Sequence, residues 1–168
     1  DRRGAVRDGR GPPLTAFDPK CRRCPRLAAF LDEGRAKHPA YHCAPVAPFG
    51  DARPQLLVVG LAPGFHGANA TGRPFTGDHA GILLYETLHA LGASTSAVSV
   101  HPDDGLQLKG VRVTNSVKCL PPANKPLPAE IRACNGYLTA ELETLAKDQP
   151  ELLPLVEFLP LASRGIVR

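Results

Sequence analysis

The sequence predicts an α/β fold in which a central, mostly parallel sheet is flanked by helices. A continuous apolar run at 55–60 ends in glycine, as expected of a strand buried on both faces of such a sheet. A second strand is indicated at 111–118, where Val111, Val113, Asn115 and Val117 share one face. Helical patterns precede, separate and follow the two strands, and this alternation is typical of layered α/β proteins.

Three helices are predicted from apolar spacing and from residues that favour helix ends. The first covers 26–37 and the second 78–91, where Gly92 suits the C-terminal cap. The third starts at Pro128, which fits a first helical turn. Its apolar stripe comprises Ile131, Cys134, Leu138, Leu142 and Leu145. Residues 38–54, rich in proline, are expected to form a loop, and the apolar stretch at 155–159 a third strand.

Length and charge indicate one domain with an appended basic arm. A chain of 168 residues suits a single core, which we place at 18–168, after a flexible arm at 1–17. Residues 1–26 hold eight basic and three acidic side chains, so this end can bind a polyanion or simply be solvated. Without a bilayer-length apolar run or an apolar signal-peptide stretch, we expect a cytoplasmic protein with no membrane partner. We also expect it to be a monomer.

The five cysteines suggest a metal centre. Cys21 and Cys24 form a C-x-x-C pair, and Cys119 and Cys134 form a second pair with 14 residues between them. Four such thiolates can hold a zinc ion or a [4Fe–4S] cluster, while the alternative is four ordinary buried or free thiols. Cys43 has no cysteine near it in the sequence and is expected to be a free thiol.

A glycine-rich loop follows the first strand, where ligands bind in α/β sheets. Its five glycines within 60–78 allow close backbone approach, so that free N–H groups can stabilise an anion. It matches neither a phosphate-binding P-loop nor the dinucleotide pattern. Phe75 can stack on an extruded base or anchor the loop in the core, and Asp78 can serve catalysis or cap the next helix. His66 and His79 flank this loop and can simply be solvated.

A second loop follows the other predicted strand. Asn115 lies on the face of the valines, so its amide needs a partner, either the backbone or the edge of a base. Asn124 and Lys125 stand at the loop tip, where they can contact a phosphate or base, or remain exposed.

These segments resemble the iron–sulfur uracil-DNA glycosylases. Residues 60–64 (GLAPG), His66-Gly67 and residues 71–78 (TGRPFTGD) are similar to the first motif of the type-5 branch. The sister type-4 branch has an acidic residue where this chain has Leu61. The two cysteine segments are similar to those of the family, and the resemblance covers about residues 18–145.

The resemblance implies a function and a set of site residues. It implies that a [4Fe–4S] cluster binds Cys21, Cys24, Cys119 and Cys134, with zinc as the alternative, and that the cluster is structural. It also implies base-excision repair of DNA containing uracil or other deaminated bases. The implied catalytic residues are Asp78 and Asn124. The implied substrate-binding residues are Gly60, Leu61, Ala62, Pro63, Gly64, His66, Phe75 and Asn115.

The chain departs from the family at two places. The family continues to a second motif centred on a histidine, and residues 162–168 lack it, so we expect a C-terminally incomplete fold. Ala70 stands where relatives often have an arginine. Two alternatives remain beside the glycosylase hypothesis. One is a non-catalytic iron–sulfur remnant that binds DNA, and the other is a zinc-bound protein that binds nucleotides.

Overall fold

A computed structural model describes residues 17–149 of the chain and confirms the α/β class. The elements in chain order are α1 (Pro25–Lys37), β1 (Phe49–Gly50), β2 (Leu56–Gly60), α2 (Ala68–Thr71), α3 (His79–Ala90), β3 (Val111–Asn115), a short 3-10 helix (Pro122–Asn124) and α4 (Pro128–Asp148). The predicted strand at 155–159, the segment 162–168 and all but the last residue of the predicted arm lie outside the described residues.

Within residues 17–149 the sheet contains three strands in the order β1-β3-β2 and is mixed rather than mostly parallel. Strands β2 and β3 run parallel, with Val58 opposite Val113, while β1 pairs antiparallel with β3. The prediction of a continuous loop at 38–54 is therefore wrong at Phe49–Gly50. A strand of only two residues, such as β1, has no periodicity that a sequence pattern could show. It forms because β3, which is distant in the sequence, supplies its hydrogen bonds.

The two faces of the sheet are covered by different helices. Val58, Val111 and Val113 pack in one cluster with Tyr85 and Leu88 of α3. On the other face, Nε of Arg112 lies 2.6 Å from a carboxylate oxygen of Glu141 in α4. Since neighbouring residues of a strand point to opposite faces, α3 and α4 lie on opposite sides of the sheet.

The second strand is shorter than predicted, which changes the position of Val117. The strand ends at Asn115 and the chain bends over the next two residues. Val117 is fully buried in a second cluster with Leu27, Cys134 and Tyr137, rather than on the face of Val113. The predicted common face therefore holds for Val111, Val113 and Asn115 but is wrong for Val117.

Helices α1 and α4 are joined near their N-terminal ends. The guanidinium of Arg26 binds both carboxylate oxygens of Glu130, at 2.8 and 2.7 Å. Phe17, the last residue of the predicted arm, lies edge-on to Tyr137 with ring centroids 5.8 Å apart. These contacts anchor the segment that carries Cys21 and Cys24. None of the helices described in residues 17–149 is long and apolar enough to cross a membrane.

Candidate functional site

The loops that follow β2 and β3 lie side by side at one edge of the sheet. Gly60 is opposite Asn115 in the parallel ladder. Beyond the strands, the Ser116 N–H donates to the Gly60 carbonyl at 2.8 Å and the Val117 N–H to the Leu61 carbonyl at 2.9 Å. Residues from both predicted loops therefore lie together at this edge of the sheet.

Asp78 uses its two carboxylate oxygens differently. As the N-cap residue of α3, it accepts a 2.9 Å hydrogen bond through Oδ1 from the Gly81 N–H. Oδ2 faces the turn at Gly64 and Gly67, where a side chain on Gly67 would overlap the carboxylate. The position of Asp78 is thus compatible with both hypotheses, a helix cap and a catalytic carboxylate. One oxygen caps the helix and the other borders the glycine-rich turn.

The turn between β2 and α2 presents backbone donors. The Gly64 carbonyl accepts the Gly67 and Asn69 N–H groups at 3.3 and 3.1 Å, which closes the turn. Within the described residues, no acceptor is seen for the N–H groups of Ala62, Gly64, Phe65 and His66. Pro63 between them is fully buried, whereas half of the Leu61 surface is exposed. The turn is therefore firmly held while several of its donors remain available.

Phe75 and Asn115 meet at Gly60. A Cβ atom on Gly60 would lie 2.7 Å from Cζ of Phe75 and would overlap the Asn115 carboxamide oxygen. Phe75 is only 8% exposed and belongs to the core cluster of the α3 face, so it does anchor the loop. Its ring nevertheless lies beside the Asn115 amide, which is 4% exposed and makes no side-chain hydrogen bond within the described residues. A buried amide of this kind is suited to a bound polar partner.

An ion pair that the sequence did not reveal holds the loop around Phe75. The Arg73 guanidinium is buried and binds both carboxylate oxygens of Asp104, at 2.9 and 2.6 Å. It also donates to the hydroxyls of Thr76 and Ser99. Phe75 itself has a positive φ of 54°, an uncommon backbone conformation that neighbouring contacts must maintain. The tether thus stabilises the segment between Thr71 and Asp78.

Asn124 stands apart from this arrangement at the tip of the second loop. It is exposed and has a positive φ of 55°, following Ala123 at 54°. No hydrogen bond of its side chain is seen among the described residues. Lys125 is also exposed, and its carbonyl accepts a 3.2 Å hydrogen bond from Arg26. The loop tip is therefore anchored at Lys125 and presents Asn124 to solvent.

His66 belongs to an aromatic cluster that no sequence motif indicates. Its Nδ1 lies 2.9 Å from the hydroxyl of Tyr41, and the Tyr41 ring stacks on His38 at 4.6 Å. Phe65 lies edge-on to His66 with ring centroids 4.9 Å apart. The His66 side chain is exposed but held on several sides, unlike a freely solvated loop histidine.

Four cysteines surround one small cavity. Cys21 and Cys24 reach it from the segment before α1, Cys119 from the second loop and Cys134 from α4. The rest of the wall is largely apolar and includes Leu27, Val117 and Tyr137. Cys43 is not part of this cavity, since its buried sulfur lies 3.5 Å from the Asn69 side-chain nitrogen.

The cysteine environment disfavours bare thiolates. Burial, followed by the nearby Cys134, Cys21 and Cys24, raises the pKa of the Cys119 thiol to about 12. Burial also raises the pKa of Cys24 and Cys134. Among residues 17–149, no three His, Cys, Asp or Glu side chains already form a set that could hold a metal ion. The four sulfurs therefore share a cavity without converging on one point.

A buried lysine lies against the same cavity. Lys118 is 1% exposed and its ammonium contacts the Thr114 hydroxyl, with a Glu141 oxygen at 3.7 Å. The backbone N–H of Lys118 donates to the Cys134 sulfur at 3.3 Å. Desolvation lowers the pKa of Lys118, and Glu141 partly opposes this shift. The sequence placed Lys118 beside a cysteine but carried no signal that its side chain is buried.

Comparison of the sequence with known proteins finds similarity to DNA glycosylases. The sequence model of the Uracil DNA glycosylase superfamily matches residues 47–156. A type-5 uracil-DNA glycosylase of Thermus thermophilus is 48% identical over 130 residues, which are 74% of this chain and 59% of that protein. One of Mycobacterium tuberculosis is 46% identical over 135 residues, covering 76% of this chain and 50% of the relative.

The match to the sister branch is weaker and shorter. A type-4 uracil-DNA glycosylase of Thermotoga maritima is 35% identical over 100 residues, covering 59% of this chain and 44% of that protein. The chain spans between half and three fifths of the length of the type-5 relatives named above.

Proposed function

The chain belongs to the uracil-DNA glycosylase superfamily, and on this premise we propose that it carries the base-excision activity of the type-5 branch. The reaction is hydrolysis of the N-glycosidic bond of uracil, and of other deaminated bases, in DNA. Because the type-5 relatives are longer, the activity is proposed for the protein that contains this chain. The main support for this proposal is a shared location at one edge of the sheet. It brings together Asp78, Asn115, Phe75 and the turn with free N–H groups.

In this proposal the base is recognised by Phe75 and Asn115. A nucleotide rotated out of the duplex presents its faces to stacking and its edge to hydrogen bonding. The Asn115 amide offers both a donor and an acceptor and, among residues 17–149, loses no partner when it binds a base. The Phe75 ring lies next to it at Gly60 and supplies an apolar surface. Leu61 and Pro63 border the same edge.

Bond cleavage makes the sugar cationic and the departing base anionic. The free N–H groups at Ala62 and Gly64 stabilise the departing base, as backbone donors do in other sites where negative charge develops. The Asp78 carboxylate stabilises the sugar cation and orients the attacking water through the oxygen that does not cap α3. Asn124, exposed at the tip of the adjacent loop, contacts the DNA near the lesion.

We also propose that Cys21, Cys24, Cys119 and Cys134 hold a [4Fe–4S] cluster. Support comes from their common cavity, its apolar wall and the shared chemistry of four thiol donors. A four-iron cluster binds one thiolate at each iron, so its ligands need not converge on one point as zinc ligands do. Hydrolysis transfers no electrons, so the cluster serves to join α4 and the second loop to the segment before α1.

A cleavage assay tests the activity directly. The purified whole protein is incubated with oligonucleotides containing one uracil, hypoxanthine or xanthine, and alkali then cuts the strand wherever a base has been removed. Alkali-sensitive breaks at the modified base that disappear in Asp78→Asn support the proposal. Salt-sensitive DNA binding without breaks would instead support the non-catalytic remnant. The same preparation serves for iron and sulfide analysis, and zinc without iron would refute the cluster.

Three further properties are part of the proposal. We place the second, histidine-centred motif of the family in the part of the type-5 relatives that this chain does not match. We propose that the protein acts as a monomer in the cytoplasm, where it meets DNA through its basic N-terminal residues. Sedimentation of the purified protein with and without DNA tests the monomer.

A further inference from the structure

The hydrogen bond between Tyr41 and His66 links two residues that are 25 positions apart. The Tyr41 ring is held by stacking on His38, at an interplanar angle of 19°, and by the tilted ring of Phe65. The 2.9 Å contact therefore comes from a constrained hydroxyl and determines how the His66 ring is oriented.

The direction of this contact is linked to which ring nitrogen of His66 carries the proton. A neutral imidazole has one donor and one acceptor nitrogen, and the hydrogen bond at one nitrogen decides the state of the other. When the Tyr41 hydroxyl donates to Nδ1, the proton of His66 resides on Nε2. Within residues 17–149, Nε2 makes no hydrogen bond, and the side chain is exposed beside the turn with the free N–H groups.

We infer that Tyr41 is a positioning residue that holds His66 with its Nε2–H directed outward, as a donor to an anionic oxygen of the bound substrate. The inference rests on the proposed function, since the substrate is DNA. Two oxygens fit this chemistry: that of a phosphate next to the lesion and that of the departing base. His66 precedes Gly67, and Gly67 lies directly against the Asp78 carboxylate. The donor is therefore close to the proposed reaction centre.

Nitrogen-15 NMR tests the tautomer without relying on activity. In the unmodified protein the His66 ring should show a protonated Nε2 and an acceptor Nδ1. In Tyr41→Phe, which keeps the ring packing and removes only the hydroxyl, the two tautomers should become mixed. A protonated Nδ1 in the unmodified protein, or an unchanged spectrum in Tyr41→Phe, would overturn the inference. Thermal melting of the variant checks that its fold is retained.

A double-mutant cycle on uracil cleavage tests the role of the donor. Tyr41→Phe should lower kcat/KM about three- to tenfold, His66→Ala should lower it at least as much, and the double variant should match His66→Ala. A rise in KM alone identifies the phosphate, and a fall in kcat identifies the base oxygen. Additive effects, or full activity of His66→Ala, refute the inference. His101→Ala is the control, since the contacts of that exposed imidazole seen in the described part of the chain lie within its own turn. If the unmodified protein cleaves nothing, the proposed function fails, while the NMR result still decides the tautomer.

Discussion

Gly60 and Asn115 form the last pair of the parallel ladder, and the Asn115 carboxamide oxygen fills the space that a side chain at position 60 would need. The absence of a Cβ atom at Gly60 thus allows a strand residue to point its amide into the proposed base site. The ring of Phe75 uses the same space from the other side.

Gly60→Ala should therefore damage both packing and activity. The new methyl group would lie 2.7 Å from the Phe75 ring, and overpacking of this kind costs about 1–3 kcal/mol. Urea unfolding should show that loss, and uracil cleavage should fall with it. Gly64→Ala is the matched control for stability, because its nearest neighbour would be Asp78 at 3.5 Å. Equal stability of the two variants would contradict the crowding at Gly60.

Asn115→Ala should separate recognition from folding. Its amide makes no hydrogen bond within the described residues, so its removal should cost little stability for a residue that is only 4% exposed. A hydrogen-bonded pair with a base edge contributes about 1–3 kcal/mol, so cleavage should fall roughly 10- to 100-fold. Paired measurements of melting temperature and kcat/KM decide this. A large loss of stability with normal cleavage would show that Asn115 serves the core.

Substitutions of Asp78 should distinguish its helix cap from its charge. Asparagine also caps helices well, so Asp78→Asn should keep the bond to Gly81 and the stability of the protein. Loss of the carboxylate should reduce the cleavage rate by about 100- to 10,000-fold. Asp78→Ala should lose both functions, with about 0.5–2 kcal/mol less stability. An active Asp78→Asn variant would show that the charge is dispensable.

Removal of a cysteine should affect bound iron according to its place in the structure. Cys134→Ala removes one donor from the shared cavity and should abolish or sharply reduce iron and sulfide in the purified protein. Cys43→Ala removes another buried thiol, which lies outside the cavity, and should leave the iron content unchanged. Chemical analysis of both variants provides the comparison. Normal iron in Cys134→Ala would count against the proposed ligand set.

Acid should weaken the tether between Arg73 and Asp104. The Arg73 guanidinium holds the pKa of the Asp104 carboxyl well below its ordinary 3.8. A group with a lowered pKa in the folded state stabilises above its unfolded pKa, and this contribution disappears as pH falls toward the folded value. Asp104→Asn should thus lower the melting temperature at pH 7, and the difference should shrink below about pH 4.

Asp103→Asn is the control for this pH series. Its carboxylate is 88% exposed, and a ring nitrogen of His101 lies 3.6 Å from it. It should show no comparable change with pH. A gap between Asp104→Asn and the unmodified protein that stays constant down to pH 3 would refute the role of the tether.

Local patterns in the sequence predicted much of the fold. The apolar run before Gly60 and the alternation through Asn115 identified the two parallel strands, since burial imposes a period of two on a strand. Proline at 128 and glycine at 92 marked helix ends to within two residues. The same alternation placed Asn115 with the valines, and this is the face on which its amide meets Phe75.

Contacts between segments that are distant in the sequence could not be predicted from local patterns. Local periodicity does not connect the residues that form β1, the Arg73–Asp104 tether or the Tyr41–His66 bond. It also gives no sign that Lys118 is buried. A charged side chain in a polar stretch is expected to be solvated, and only a partner brought from elsewhere makes its burial favourable.

By itself, the sequence determined which residues are apolar, which glycines open the backbone and which thiols come in pairs, because these properties belong to each residue and its near neighbours. Only the tertiary structure decided that four sulfurs share one cavity, that Asp78 divides its oxygens between a helix cap and a turn, and that Tyr41 orients His66. Those outcomes depend on how whole elements pack, and packing fixes distances between side chains that the linear order leaves open.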